Sequence, residues 1–446
     1  MVAQKLPPDE PNKLRVAICG GGPAGLGAAI ALSALPNVEV AIYEQARELR
    51  EIGAGIRIGY NCWRVLELMG AAQDVKGHMK TTVLHRNGLN GQIIDTRTSS
   101  MPVKYRARRV RRTRLQSALI KQVAPGVIRL NKRLVALKNL PQGGISLRFE
   151  DGFETTADLV VGADGIRSVV RDSIFPDHRI KFTGTTIWRT LIPITTVAHQ
   201  PDLNSGTSWW YGPAGHVYLS PVDDASELAE SERMFEISCR NLVDPETAVG
   251  AKTKRFSWGI PATNERVQSH FTEYDPRVRD VLALVPEGQW KEFSAFAGPR
   301  LEKLTAWDKV VLLGDASHPL SGAFGSGAAF ALEDGWILAR AIDYTRGAPK
   351  GLAQALAIFD AIRSPYYLRM YVPLASFAFT PFPVYRYLDD QKKKATEALT
   401  NAADKSFESI LEIKMASFGS EEALPWIYHN DIEEVWERYL EGRGGD

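Results

Sequence analysis

The chain has 446 residues, 44% of them hydrophobic and 24% charged, with a formal net charge of +2; this is a globular composition for two or three domains or one large two-layer unit, and the charge balance speaks against a nucleic-acid or membrane-surface protein. Cys19, Cys62 and Cys239 lie far apart with no C-x-x-C pair, which argues against a disulfide framework or structural zinc and fits a reducing compartment. Residues 1–15 carry no apolar signal core and no apolar run approaches the roughly 18 residues of a membrane span, so a cytoplasmic address is expected.

In chain order, "LRVAIC" reads as a short buried parallel strand, and Gly20, Gly22 and Gly25 follow it as G-x-G-x-x-G. A helical stretch, "LGAAIALSAL", and a second strand ending at Glu44 complete a β-α-β unit. Glycines there let the backbone approach a pyrophosphate at a helix N-terminus, and the acid bonds a ribose hydroxyl. Glu44 suits an adenosine ribose without a 2′-phosphate. The plainer alternative is a glycine turn needed only to pack the helix on the strand.

Residues 104–114, "KYRARRVRRTR", are the most basic segment and read as a solvated face, or as an attractor for a negatively charged cofactor. A second strand-turn-helix motif, "ADLVVGADGIRSVVR", presents Asp164. A third, "KVVLLGDASHPLSGAFGSGAAFALEDG", presents Asp315 and a run of small residues with Gly325, Gly327 and Ala328. In each, an apolar strand delivers a carboxylate to the edge where ligands bind in open α/β sheets. Each Asp taken singly is equally readable as an ordinary helix N-cap. The alternating runs "TGTTIWRTLIPI" and "GHVYLSPV" fit strands of another sheet, with His216, Tyr218 and Ser220 on one face. Beyond Gly351 the chain reads as helical, with Pro365 and Pro373 expected to bend or interrupt the first helix. The aromatics Tyr366, Tyr367, Phe377, Phe379, Phe382 and Tyr385 read as packing or as a dimer surface. No repeat and no low-complexity block is present.

The three motifs in this order resemble the single-component FAD-dependent aromatic hydroxylases, in particular the salicylate-hydroxylase-like branch with its fungal members. The likeness extends over "REIGAGIRIGYN", the R-x-x-L of Arg112 and Leu115, Trp188-Arg189 and "ALEDG", across roughly residues 14–376. It implies an α/β fold: a discontinuous Rossmann-type FAD domain (10–80, 105–180 and 300–350), a β-sheet substrate domain (81–104 and 181–299) and a helical C-terminal region (351–446). The first turn would hold the adenosine and pyrophosphate, with Arg112 also reaching the latter, and the third turn, through Asp315, the ribityl and ring end.

The activity so implied is a monooxygenase that uses NADH or NADPH and O2 to hydroxylate a hydroxybenzoate-like phenol through a flavin C4a-hydroperoxide, with loss of CO2 in the salicylate case. Oxidative dearomatisation of an alkylated phenol or polyketide is the alternative. Arg189 is the expected anchor of the substrate acid and His216, with Tyr218, the partner of its hydroxyl, while His318 is expected to be structural. Two departures bear on the pocket: Ser220 stands where relatives carry tyrosine, and Gly322 where many carry proline. "FSWGIP" also matches most of the W-x-W-x-I-P of flavin halogenases, a less favoured reading, as is a non-catalytic nucleotide binder. No Cys/His cluster calls for a metal. The expected partners are a small aromatic substrate and O2, with no nucleic acid or membrane, in a monomer or homodimer.

Overall fold

Strands buried on both faces must be apolar nearly throughout, and four short runs of this kind lie parallel at the centre of one sheet: Leu14–Cys19, Val38–Tyr43, Leu159–Gly162 and Val310–Leu312. The computed structural model describes residues 13–49, 54–213, 215–242, 258–320, 325–375, 406–417 and 424–442. Its six-stranded sheet has the order Thr305–Ala306, Val310–Leu312, Leu159–Gly162, Leu14–Cys19, Val38–Tyr43, Ile128–Arg129. Cys19 stands level with Tyr43 and Gly162, and Gly162 with Leu312. Parallel strands in this register bring Gly20, Glu44, Asp164 and Asp315 out along a single carboxyl edge, although the four are separated by nearly three hundred positions in the chain.

Two helices, Pro23–Ser33 and Gly327–Tyr344, cover this sheet side by side. Proline at the first helical position fits the entry of the former, because its missing N–H would have no helical partner there. Glycines permit the close approach. A Cβ on Gly27 would lie 2.6 Å from Leu332 Cδ2, one on Gly335 2.6 Å from the backbone nitrogen of Ala28, and one on Gly314 3.1 Å from Ala24 Cβ. Positions 24, 27 and 28 thus meet 331, 332 and 335 in step, so the helices run in the same direction and both N-termini open on the carboxyl edge. Gly335→Ala drives a methyl into backbone that cannot swing aside; a net destabilisation of about 1–3 kcal/mol is expected, read as a lowered thermal midpoint.

The other large sheet has eight strands in the order Trp258–Ala262, Trp290–Ala297, Lys181–Pro193, Met234–Leu242, Gly215–Pro221, Thr207–Gly212, Thr82–Asn87, Ile93–Thr98. Alternation divides each strand between two faces. Trp188, Ile192, Phe235, Ile237, Cys239 and Trp210 form a core with Phe271, Val278 and Leu282 on one side. The opposite face carries Arg189, Glu236, Ser238, Arg240, His216 and Tyr218, and it looks towards the first half of the molecule: Glu236 Oε1 accepts the Gly55 N–H at 2.9 Å.

The helix Gly351–Ala375 runs through Pro365 and Pro373, so of the bend or interruption expected from the prolines the interruption does not occur. On its N-terminal side and around Pro365 it is held by buried Phe359, Arg363, Tyr367 and Met370; this packing outweighs the missing N–H of Pro365. Gly322, Phe256, Phe377, Phe379, Phe382, Tyr385 and the charged stretch 388–399 lie outside the described residues. Among the described residues no helix is long and apolar enough to cross a membrane. Cys19, Cys62 and Cys239 are buried free thiols, and burial pushes the Cys62 thiol up to about 12.

Candidate active site

The first glycine turn is shaped by two different demands. Gly20 has φ +107°, where side chains are disfavoured, and a Cβ there would strike the Ala163 carbonyl; one on Gly25 would strike the Gly20 carbonyl. Those two glycines bind the turn to its own fold. Gly22 is different: a Cβ there would meet no atom of the described residues within 4 Å. It is the N-cap of the helix Pro23–Ser33, which has no side-chain cap, so no capping side chain takes the first-turn N–H groups. A helix N-terminus left in this condition is suited to an anion.

Around it stand three carboxylates. Glu44 is fixed by its own backbone surroundings, Oε2 accepting the Gly21 N–H at 2.7 Å and Oε1 the Ala46 N–H at 2.8 Å. Asp164 is half a cap: Oδ2 accepts from Val169 and Val170, while buried Oδ1 has no hydrogen-bond partner among the described residues. Burial raises its carboxyl above the ordinary range. Asp315 is open to solvent by surface area, yet the atoms crowding it raise its carboxyl too. Both observations describe a carboxylate on the wall of a deep cleft, with His318, Arg112 and Arg171 close enough to be felt electrostatically.

The late turn supplies the second helix N-terminus. Gly325 has φ +62°, and among the described residues a Cβ on Gly327 would touch nothing within 4 Å. Ser326, the N-cap, does not cap with its side chain; its Oγ accepts from Arg57 Nη1 at 3.1 Å instead. Two uncapped helix starts, an orphaned acid oxygen and an open acid along one edge fit an extended dinucleotide such as FAD.

Beneath the late turn lies a charge cluster that the sequence motifs did not disclose. Asp334 Oδ2 accepts the Gly314 N–H at 2.9 Å and bonds His318 Nε2 at 3.0 Å; Oδ1 takes Arg363 Nε and the Tyr367 hydroxyl, each at 2.7 Å. Glu333 bonds Arg363 Nη2 at 3.1 Å and Asn430 Nδ2 at 3.1 Å. Burial alone would raise the carboxyl of Asp334, but Arg363 and His318 outweigh it and hold it below its ordinary value. Burial pushes Glu333 up to about 7. His318, 1% exposed, belongs to this cluster and not to the open cleft.

On the facing sheet, Arg189, Ser238, Tyr218 and Trp209 occupy one row across four strands, in register pairs. His216 rests 4.9 Å from the Trp209 ring and 6.0 Å from Tyr211. Tyr211 in turn meets His85 Nδ1 through its hydroxyl at 2.9 Å, and burial lowers His85 to about 4, which leaves it neutral. Tyr218 is buried: Arg109 stacks on its ring at 4.8 Å, and Ser220 and Thr207 hold its hydroxyl. Ser220 is itself occupied with Thr207 at 2.8 Å.

Arg189 is half-buried, and its Nε has no hydrogen-bond partner among the described residues. Burial depresses its pKa to about 9; nearby Glu236 opposes that shift, and Arg240, Arg109 and Arg112 add to it. Glu236 is claimed by Arg109, Nε at 2.5 Å and Nη2 at 2.8 Å. The result, among the described residues, is a cation whose nearest acid, Glu236, is already paired with Arg109, next to an aromatic wall. Glu236 and Arg240 escaped the sequence reading, although "MFEISCRNL" alternates polar residues at every second position.

The basic segment proves to be neither a solvated face nor a free cationic patch. Arg109 pairs with Glu236, Arg111 with Asp223, Arg114 with Glu227 at 3.6 Å and Arg108 with Asp224 at 3.9 Å. These acids all come from the eight-stranded sheet or its turns. The positive run is one side of an ion-pair seam between the two halves of the molecule, and sequence spacing alone could not show the acids that face it.

Comparison with known proteins agrees with this arrangement. Residues 13–352 match the FAD binding domain family. The chain is 29% identical over 378 residues to 6-methylsalicylate 1-monooxygenase atA of Aspergillus terreus, covering 79% of each chain. It is 30% identical over 360 residues to the FAD-dependent monooxygenase sor5 of Hypocrea jecorina, covering 74% of each. A solved salicylate hydroxylase substrate complex shares the fold with a TM-score of 0.71 at 19% identity, over 96% of this chain and 98% of that one. A dinucleotide cradle along one carboxyl edge, faced by an aromatic sheet, therefore has its place among known proteins: the chain belongs to the FAD binding domain family, in its branch of FAD-dependent aromatic monooxygenases.

Proposed function

We propose that this enzyme oxidises a phenol bearing an acidic group, with NADH or NADPH as electron donor and O2 as oxidant. The observation that carries the substrate class is Arg189, a half-buried cation on the aromatic face whose nearest acid, Glu236, is already paired with Arg109. Bound FAD supplies electron transfer from the nicotinamide and the activation of O2. Gly20, Gly22 and Gly25 with the helix start at Pro23 would hold its pyrophosphate, with Arg112 alongside, and Glu44 its adenosine ribose. Asp164 and Asp315 would take the remaining hydroxyls, and the N–H groups at Gly325, Gly327 and Ala328 the ring end.

The guanidinium of Arg189 binds the substrate carboxylate, for which its planar fork is matched. His216 accepts the proton of the phenol hydroxyl, which raises electron density on the ring carbons. Tyr218 positions rather than reacts: pinned by Ser220, Thr207 and Arg109, it supports Trp209 from below. The seam from Arg108 to Arg114 closes the sheet over the cofactor edge and limits water. When the carboxyl sits on the carbon attacked, the balance is phenol acid + NAD(P)H + H+ + O2 giving catechol + CO2 + NAD(P)+ + H2O.

The reading is tested by nicotinamide oxidation with a panel of hydroxybenzoates and alkylated phenols, with product mass recorded. Substrate-stimulated oxidation that yields a product gaining oxygen supports it; oxidation at the background rate with every phenol rejects it. Arg189→Ala is expected to raise KM for an acidic substrate about 10- to 100-fold, as loss of a charged hydrogen bond implies, with flavin content unchanged. Equal KM in variant and parent removes Arg189 as the anchor.

A further inference from the structure

The aromatic face is longer than a one-ring acid needs. Arg189 stands opposite Ser238, Ser238 opposite Tyr218 and Tyr218 opposite Trp209. Three strand spacings therefore separate the backbone at Arg189 from that at Trp209, about 14 Å, of which the long Arg189 side chain takes up part. A benzoate bearing a para hydroxyl, built of bonds of about 1.5 Å or less, spans less than half of that. Tyr218, two of the three spacings along, is covered by Arg109. The half-exposed side chains of this face, Arg189, Arg240, His216 and Trp209, mark an open lane beside it.

One end of the lane is cationic. The other is closed by a helix from beyond the matched family region, Phe407–Ser417. Leu411 is 3% exposed and packs on Tyr211, with Trp209, Ile94 and Phe407 completing the cluster. A lane with a cation at one end and an apolar stop at the other has a polarity, and its occupant must share it.

We propose that Phe407, backed by the buried Leu411, forms the end wall of the substrate cavity and that the pair sets the length of apolar extension, an alkyl chain or second ring, that an acidic phenol must carry to fill it. This rests on the proposed docking of the substrate acid at Arg189. The substrate class is thereby narrowed to elongated aromatic acids, and the selecting wall lies in a part of the chain that the family domain does not include.

The test uses the FAD-loaded protein and a series of hydroxybenzoates with methyl, propyl, pentyl and heptyl groups at the ring position furthest from the carboxylate. Dissociation constants are read from the change in flavin absorbance, and kcat/KM from nicotinamide oxidation. In the parent, affinity is expected to rise about fourfold per added methylene, the equivalent of ~0.8 kcal/mol each, up to a limiting length and to fall beyond it. Leu411→Ala is expected to move the optimum to a longer homologue and Leu411→Trp to a shorter one. A flat series in the parent, the same optimum in all three proteins, or a uniform loss at every length overturns the proposal. A shifted optimum in binding without turnover supports the wall while rejecting the reaction; turnover with an unshifted optimum does the reverse.

Discussion

Arg363→Ala is expected to cost about 3–5 kcal/mol of stability, because it leaves Asp334 and Glu333 buried without their counter-charge. Denaturant midpoints would show it. The loss should depend on pH in a definite direction. In the parent, the folded pKa of Asp334 lies below its ordinary value, so that group contributes stability above its unfolded pKa and loses it as pH falls through the folded one. Without Arg363 the folded carboxyls rise and take up protons, so the variant's deficit should be smaller at pH 5 than at pH 8. An unchanged midpoint at pH 8 would mean that the cluster does not depend on its arginine. Arg363→Met combined with Asp334→Asn and Glu333→Gln removes charge and counter-charge together, and should recover part of the loss.

Asp315→Ala is expected to weaken FAD retention about 10- to 100-fold, the range for losing a hydrogen bond to a charged group. The measurement is the ratio of flavin to protein absorbance after purification and after dialysis, beside a thermal melt of the apoprotein. Asp315 is solvent-open, and Gly314, not Asp315, makes the turn's bond to Asp334, so the apoprotein should melt close to the parent. Full flavin content in the variant would remove Asp315 from the cradle. A large fall in the apoprotein melting temperature would recast it as part of the fold. The two predictions together separate the acid that faces the cleft from the acid that supports it, only nineteen positions apart in the chain.

The sequence by itself determined the strands and turns of the shared carboxyl edge. G-x-G-x-x-G, Asp164-Gly165 and Gly314-Asp315 each follow an apolar strand, and parallel pairing leaves such turns one edge to share. The local pattern constrains the backbone there, so it was legible. It also set Arg189 and His216 on strands, because alternation with a period of two survives whatever the sheet packs against. The tertiary structure decided the rest. Asp334, Glu333, Arg363, His318, Tyr367 and Asn430 meet beneath the late turn from four separate segments. The acids that absorb the run of arginines from Arg108 to Arg114 come from more than a hundred positions away. Helix Gly351–Ala375 continues through Pro365 with buried Phe359, Arg363, Tyr367 and Met370 packed around it, and Leu411 reaches Tyr211 from the far end of the chain. Periodicity reports which face of an element is apolar; it holds no record of which distant charge or side chain that face will meet, since contacts of this range form only when the whole chain closes on itself.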